Sequence, residues 1–408
     1  MAIVPNVRRA IFPLDKQLAL LPGLFTPLLQ NHLAHLGSWM PFAKAATLLA
    51  TFTHTQVSEA SVQRYTESVG LAYEAVQLAE VERIERDWPE VLDSPAKLLV
   101  SADGAMVPLV GGEWSEVKTV VVSEVGEVIE ADGKSAVSTH HHSYFSRLSD
   151  AQTFQRLSLG ELTRRCLERA TQIATVNDGA EWIQGFVDYH CPEAVRILDF
   201  AHAAERICQI GDVVLGEGSD ATLNWRTGQL HDLKHMGAAD LVSRLRTFAA
   251  SHLSVPVVEE NLAYLEKRER LMQYPSFQAA GWPIGSGVVE SGNKLVVEAR
   301  LKGAGMHWAR ASVNPLLSLR NAVCNDRWEE AWQQSSEQIR RLGRKHRVVT
   351  PKCTAAPEGR AVKPRVRAQV SSPPVERPPH PKPAANHPWR RYRVTKAQTD
   401  QAEPHART

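Results

Sequence analysis

The chain has 408 residues, of which 43% are hydrophobic and 23% charged, a composition typical of globular proteins that excludes a fibrous chain or one that is disordered throughout. Its formal net charge of +2 is unevenly distributed, because residues 351–408 carry +8 and the remainder carries −6. A nucleic-acid interaction would therefore have to depend on local basic patches, since the overall charge balance does not support one.

The cysteines and the hydrophobic runs indicate where the protein functions. Five cysteines are scattered without a Cys-x-x-Cys pair, which favours reduced thiols over a disulfide framework or a zinc site. The first residues lack the apolar core of a signal peptide, and no run approaches the ~18 apolar residues of a membrane helix. We therefore expect a cytoplasmic protein with no membrane partner.

Residues 1–95 are expected to be helical. One helix is predicted by an apolar stripe at helical spacing, formed by Phe42, Ala45, Ala46, Leu49 and Phe52. After a short break, Ser58 can cap a second helix whose first turns expose Gln63 and Arg64, and Gly70 is expected to bend or end that helix. A helix, a tight break and a capped second helix are typical of helix-turn-helix DNA readers. From this segment alone, ordinary packing of two amphipathic helices remains the alternative.

A strand-rich region follows from Pro95. The predicted elements are a strand at 98–100 ending at Asp103, two strands between 116 and 134, a helix at 149–173, a strand ending at Asp178, a helix, a strand ending before Asp199, and a helix carrying His202. This order predicts an α/β fold with a mixed sheet, helices on both faces and antiparallel hairpins at one edge. We place the first part of this core at residues 96–202.

The remaining chain is expected to be helical and then disordered. Residues 203–283 form an all-helical insertion, and residues 284–345 supply the last helices of the core. In the first of these helices Ser286 is the expected N-cap, and Glu290, Asn293, Lys294 and Val297 are expected to share one face. Residues 346–408 hold eleven of the 24 prolines and should not bury enough apolar surface to fold.

Three distant acids are the candidate catalytic residues. If the strands that end at Asp103 and Asp178 are neighbours, both carboxylates emerge at one edge of the sheet, where the helix of Glu290 can cross. Converging carboxylates repel one another unless hard cations neutralise them. Two Mg²⁺ ions, or Mn²⁺ ions, bound ~3.5–4 Å apart serve phosphoryl transfer in this way. The alternative is that Asp-Gly pairs simply form turns at strand ends.

Four segments then establish a resemblance. SADGAMVPL, TVNDGAEWI, LDFAHAAERI and GSGVVESGNKLVVEARLKGAGMHWAR resemble the DDE transposases of bacterial insertion sequences, most closely the ISKra type, over about residues 12–335. The resemblance implies a ribonuclease H-like core in which Asp103, Asp178 and Glu290 bind Mg²⁺. It matches VSEASVQRY to a helix-turn-helix, and it selects Glu290 over Glu298 as the third acid. Asp199 and His202 resemble an Asp-x-x-His pair that lies beside the active site in several DDE superfamilies.

The expected function is metal-dependent cleavage and strand transfer of an insertion sequence. The partners would be the terminal inverted repeats and target DNA, bound by a homo-oligomer associated with the nucleoid. Gln63 and Arg64 are candidate DNA contacts in the amino-terminal region, and Lys294 and Arg300 are candidates near the acids. Two alternatives remain open, a catalytically silent DNA-binding derivative and a ribonuclease H-fold nuclease without strand transfer.

A run of three histidines, residues 140–142, admits two interpretations. The imidazoles can bind a metal ion, but adjacent residues rarely point at one centre. We therefore expect this run to be a solvated loop.

Overall fold

The computed structural model describes residues 20–89, 94–131 and 134–346, so nearly all of the predicted basic tail lies outside the described residues. Within these ranges the first three helices are α1 (Pro27–Trp39), α2 (Phe42–Thr53) and α3 (Glu59–Arg86). The predicted cap of α3 is confirmed, because the Ser58 hydroxyl accepts the Ser61 N–H at 3.3 Å.

The centre of the fold is a five-stranded mixed sheet. Its strands are β1 (Lys97–Pro108), β2 (Trp114–Ala131), β3 (Lys134–Arg147), β4 (Gln172–Asn177) and β5 (Val195–Leu198). Their order is β3-β2-β1-β4-β5, in which β1 to β3 are antiparallel and β1, β4 and β5 are parallel. The expected mixed sheet with antiparallel hairpins at one edge is therefore confirmed. Two predictions are wrong in detail. Residues 116–131 lie within one strand and not in two, and the histidine run lies in β3 and not in a loop.

Helices cover both faces of the sheet. They are α4 (Ala151–Arg164), α5 (Glu181–His190), α6 (Phe200–Leu215), α7 (Asp220–Met236), α8 (Ala239–Phe248), α9 (Pro256–Lys267) and α10 (Tyr274–Ala279). Along β1, alternate side chains enter different cores: Leu98 and Val100 pack with Phe154 of α4 and Ile183 of α5, whereas Leu99 packs with the helices that follow β5. The segment 203–283 is helical as predicted, and it packs onto the sheet.

The segment containing Glu290 is an irregular helix. It comprises α11 (Gly287–Gly292), a π-helical turn (Asn293–Glu298) and α12 (Ala299–Leu301), and α13 (Arg310–Cys324) and α14 (Trp328–His346) follow. The prediction of one common face is wrong, because Asn293 and Val297 are buried, whereas Glu290 and Lys294 are exposed. π-helical turns of this kind occur frequently at functional sites.

The amino-terminal helices share a core with this irregular helix and with β1. Members of that core are Leu33, Phe42, Leu49, Val62, Tyr65, Ala105, Val107, Val296, Val297 and Leu301. Phe52 does not belong to it, because 78% of this residue is exposed, so its assignment to the buried stripe is wrong. Gly70 does not end α3, which continues to Arg86. Its role is to allow close contact with α13, because an added Cβ would lie 2.2 Å from the Pro315 carbonyl oxygen.

Within the residues that the structure describes, no helix combines the length and the hydrophobicity that crossing a bilayer requires.

Candidate active site

Asp103 occupies the middle of β1. The predicted strand end at Asp103 is wrong, because β1 continues to Pro108 while paired with β2. Its parallel pairing with β4, however, covers only Lys97 to Val100. Asp103 therefore lies beyond the last residue pair that joins β1 to β4, on a part of the strand flanked by β2 alone. Its side chain points to the same face as Leu99 and Ala105, which belong to different cores.

Asp178 directly follows β4, as predicted. The side chain of the preceding residue, Asn177, joins the two strands where backbone pairing ends, since its Oδ1 accepts the Ala102 N–H at 2.6 Å. This bond brings the Asp178 turn beside Asp103. Burial raises the pKa of the Asp103 carboxyl, and the negative charge of Asp178 raises it further. The two predicted acids are therefore close enough to influence each other electrostatically.

The irregular helix reaches Asp103 through an amide. Asn293 is 5% exposed, and its Nδ2 donates to Asp103 Oδ2 at 2.9 Å. The Gly104 N–H donates to Asp103 Oδ1 at 2.7 Å, and both bonds oppose the rise in the pKa of Asp103. Glu290 precedes Asn293 by three residues, which is roughly one turn of a helix. Glu290 is exposed, and it lies one helical turn from the group that binds Asp103.

Asp199 holds the start of this helix in place. It is 1% exposed, and its Oδ1 accepts the Ser286 N–H at 3.1 Å. Neither Asp199 nor Ser286 forms a side-chain cap on the helix that it precedes, so the predicted cap at Ser286 is wrong. His202 Nε2 lies 3.8 Å from Asp199 Oδ2, and the charge of His202 favours the ionised form of Asp103. Asp199 and His202 are therefore neighbours of the predicted site.

The helical insertion also contributes to the site, which the sequence did not indicate. The Tyr264 hydroxyl donates to the carbonyl oxygen of Asp178, and Arg268 Nη2 donates to that of Gly179 at 2.7 Å. The Arg268 guanidinium lies 3.8 Å from the centre of the Tyr264 ring. Gly179 has a left-handed φ of +81°, so the turn that carries Asp178 needs a glycine and is anchored by α9 and the residue after it.

The candidate DNA contacts differ in exposure. Gln63, Arg64 and Lys294 are exposed, so contacts from them to DNA stay predictions. Arg300 is 1% exposed, and its Nε donates to the Gly37 carbonyl oxygen at 3.0 Å. The prediction that Arg300 binds DNA phosphates is therefore wrong. Burial lowers its pKa to about 10, and the nearby charge of Arg320 contributes.

Arg300 and Trp308, which both belong to the segment GSGVVESGNKLVVEARLKGAGMHWAR, have a structural role. Arg300 packs against the Trp308 ring, with its guanidinium carbon 5.0 Å from the ring centre. The Trp308 Nε1–H donates to Leu301 O at 3.0 Å, and the Trp308 backbone pairs with Leu109 just after β1. These residues therefore hold the end of the irregular helix against the sheet.

The donor set near Asp103 suits a hard cation. It consists of carboxylate and amide oxygens, which Mg²⁺ and Mn²⁺ prefer. Two buried oxygens, Asn293 Oδ1 and Asp199 Oδ2, have no hydrogen-bond partner among the residues that the structure describes, and buried oxygens of this kind normally have one. Asp103, Asp178 and Glu290 do not bring three ligand atoms within 4.8 Å of one another; among the described residues, Glu124, His140 and His141 do so.

Comparisons with known proteins do not identify a family: no family model matches the chain, and no curated protein matches it.

Proposed function

We propose that the protein is a DDE transposase with a ribonuclease H-like catalytic core, which cleaves the ends of a mobile DNA element and joins them to target DNA. The observation that carries the proposal is the hydrogen bond from Asn293 to Asp103 beside Asp178. The bond joins two segments that are distant in sequence, and Asp178, on a third segment, acts on the same carboxylate electrostatically. The strand order is consistent with a ribonuclease H-like layout, and the resemblance of the four sequence segments supports the same function.

In this proposal Asp103, Asp178 and Glu290 hold Mg²⁺, for which Mn²⁺ can substitute. When bound, the ions supply activation of the attacking oxygen and stabilisation of the leaving oxygen. The chain's own residues orient the acids. Asn293 fixes the Asp103 carboxylate, Asp199 fixes the start of the Glu290 helix, and the Tyr264 hydroxyl holds the turn of Asp178. Cleavage uses water, and strand transfer uses the freed 3′-hydroxyl of the DNA.

The DNA-reading part of the proposal concerns α3. Gln63 and Arg64 lie exposed in its first turns, and Gln63 Nε2 donates to Glu67 Oε1 at 2.9 Å. A polar, exposed helix start suits contact with base edges or phosphates. Because α3 shares a core with the irregular helix, DNA held by α3 would keep a fixed position relative to the acids. Two element ends must be held together, so we propose a dimer or a larger assembly on DNA.

A plasmid assay tests the catalytic proposal. The substrate is a supercoiled plasmid that carries the gene with its flanking DNA, incubated with the full chain and Mg²⁺. We expect nicked and strand-transfer products, and Asp178→Asn should reduce their formation by at least ~100-fold, as loss of a ligand costs no less than loss of its supporting residues. Asp240→Asn, an exposed carboxylate in the first turn of α8, should leave product formation unchanged.

Each other outcome has a defined meaning. Nicked products without joined products would point to a nuclease and contradict strand transfer. DNA binding without cleavage under Mg²⁺ or Mn²⁺ would point to a silent DNA-binding derivative. Equal activity of Asp178→Asn and Asp240→Asn would refute the assignment of the acids.

A further inference from the structure

A second group of potential metal ligands lies on β2 and β3, where the pairing of β2 with β1 ends at Glu124. Glu124 on β2 faces His140 and His141 on β3. The Glu124 Oε2 atom is 3.3 Å from His141 Nδ1 and 3.9 Å from His140 Nδ1. The two Nδ1 atoms are 3.3 Å apart. Three ligand atoms of two chemical types therefore converge on one point.

A β-bulge makes this convergence possible. Successive side chains of a regular strand point to opposite faces, but the register shifts between Val122 and Glu124, where one residue of β2 opposes two of β3. His141 lies in that bulge with a left-handed φ of +50°, which is uncommon for a residue other than glycine. The bulge turns the imidazoles of His140 and His141 toward the same carboxylate. For this reason the expectation that the adjacent histidines do not point at one centre is wrong.

The spacing of the ligand atoms matches a tetrahedral metal centre. Zinc binds nitrogen and oxygen at about 2.0–2.2 Å, so neighbouring ligand atoms of a tetrahedral site are about 3.3–3.5 Å apart. Two of the three measured separations equal 3.3 Å, and the third exceeds the ideal value by only a few tenths of an ångström. Two histidines and one carboxylate leave the fourth position for water.

The surroundings support the ligands. Arg165 Nη2 donates to Glu124 Oε1 at 3.2 Å, which leaves Oε2 directed at the imidazoles. Outer partners of this kind orient ligating carboxylates, although the positive charge of Arg165 also opposes a cation. Gly126 leaves room for the His140 ring, because an added Cβ would lie 3.2 Å from His140 Nε2 and 2.5 Å from Ser138 Oγ.

We propose that Glu124, His140 and His141 bind one divalent cation of the zinc type, which includes Co²⁺ and Ni²⁺. Imidazole ligands favour these ions, whereas Mg²⁺ prefers oxygen ligands alone. The site is thus chemically distinct from the acids at Asp103 and Asp178, and it does not depend on the proposed transposase activity.

The position of the site gives it a structural function. Glu124 pairs with Leu98, near the start of β1. Beyond Glu124, β2 pairs only with β3 among the described residues, and the two strands form an arm about 20 Å long. An isolated two-stranded ribbon is marginally stable in water. A metal bound at its base joins β2 to β3 and stabilises the arm where it leaves the sheet.

Titration of the full chain with Co²⁺ tests the site. Mg²⁺ in excess is present throughout, and the probe is the visible absorption of tetrahedral Co²⁺. We expect one equivalent of Co²⁺ to bind, Zn²⁺ to displace it, and His141→Ala to weaken binding by at least ~100-fold. The matched control is His142→Ala, since His142 Nδ1 contacts Ser123 Oγ at 2.7 Å and is not a ligand. It should bind Co²⁺ as the unaltered chain does.

Two further variants complete the test. Asp178→Asn should keep full Co²⁺ binding, and loss of binding in this variant would place the ion at the acids and overturn the proposal. Gly126→Ala should weaken Co²⁺ binding slightly without removing a ligand, because its methyl group would push the His140 ring by a few tenths of an ångström. The absence of a tetrahedral Co²⁺ spectrum, or equal affinity in His141→Ala and the unaltered chain, would show that Glu124 and the histidines are only hydrogen-bonded.

Discussion

The contact at Gly70 yields a sharp prediction for the stability of the fold. A methyl group at this position of α3 would lie 2.2 Å from Pro315 O, 2.6 Å from its carbonyl carbon and 2.9 Å from its Cα. Normal contacts between such atoms are near 3.5 Å, so α3 and α13 would have to separate by about 1 Å. The obstacle is backbone, which cannot rotate away as a side chain can.

The expected magnitude for Gly70→Ala combines two opposing effects. Overpacking of a dense core costs roughly 1–3 kcal/mol and occasionally more, while alanine in a helix interior gains about 1 kcal/mol over glycine. Because the clash is with backbone, we expect the upper part of that range or beyond, and a net loss of about 2 kcal/mol in the free energy of unfolding. α3 also carries Gln63 and Arg64, so the same separation would shift the proposed DNA-reading residues.

Urea denaturation followed by far-ultraviolet circular dichroism measures this loss. The matched control is Gly228→Ala in α7, where an added Cβ would meet no atom of the described part of the chain within 4 Å. That variant should gain about 0.5–1 kcal/mol, because only the helix preference of alanine acts. If Gly70→Ala proved as stable as Gly228→Ala, the close crossing of α3 and α13 would be refuted.

Three further predictions concern Asn293, Arg320 and His190. The Asn293 amide favours ionised Asp103, so Asn293→Ala should raise the pKa of Asp103. The acid limb of the pH profile of Mg²⁺-dependent cleavage should then move to higher pH, and an unchanged limb would contradict this role of Asn293. Arg320, 1% exposed, donates to the carbonyl oxygens of Leu295 and Val296 in the π-helical turn. A lysine lacks the planar fork needed for both, so Arg320→Lys should lower the free energy of unfolding in urea by about 2 kcal/mol, and an unchanged midpoint would argue against it. Burial lowers the pKa of His190 from 6.5 to about 4, so below pH 6.5 the unfolded state takes up the proton first and stability falls, by up to about 3 kcal/mol near pH 4. His190→Gln should lose this part of the pH dependence. If the free energy of unfolding changed with pH in the same way in both proteins, His190 would not be its source.

Features that depend on near neighbours in the chain were predicted well. The cap at Ser58, the strand that stops before Asp178 and the all-helical insertion each follow from a few adjacent residues. The order of strands and helices also led to the mixed sheet, because short connections and right-handed crossovers leave few arrangements. In the same way the sequence indicated that Asp103 and Asp178 approach each other.

Features that depend on distant partners were not predicted. Ser286 looked like a cap, but its side chain forms no cap bond, and its N–H donates to Asp199, 87 residues away. Gly70 looked like a helix end, but the backbone of α13 requires a glycine there. The histidine run looked like a loop, because no local signal reveals a bulge that forms only when β3 pairs with β2.

The candidate site combines both kinds of information. Residue types and periodicity are properties of the chain, and they were enough to select Asp103 and Asp178 and the elements that carry them, whereas the resemblance selected Glu290 over Glu298. The bond between Asn293 and Asp103 joins residues 190 positions apart, and carbonyl oxygens of the π-helical turn accept hydrogen bonds from Arg320, which lies in another helix. Such contacts depend on tertiary packing, because burial leaves each polar group with few possible partners.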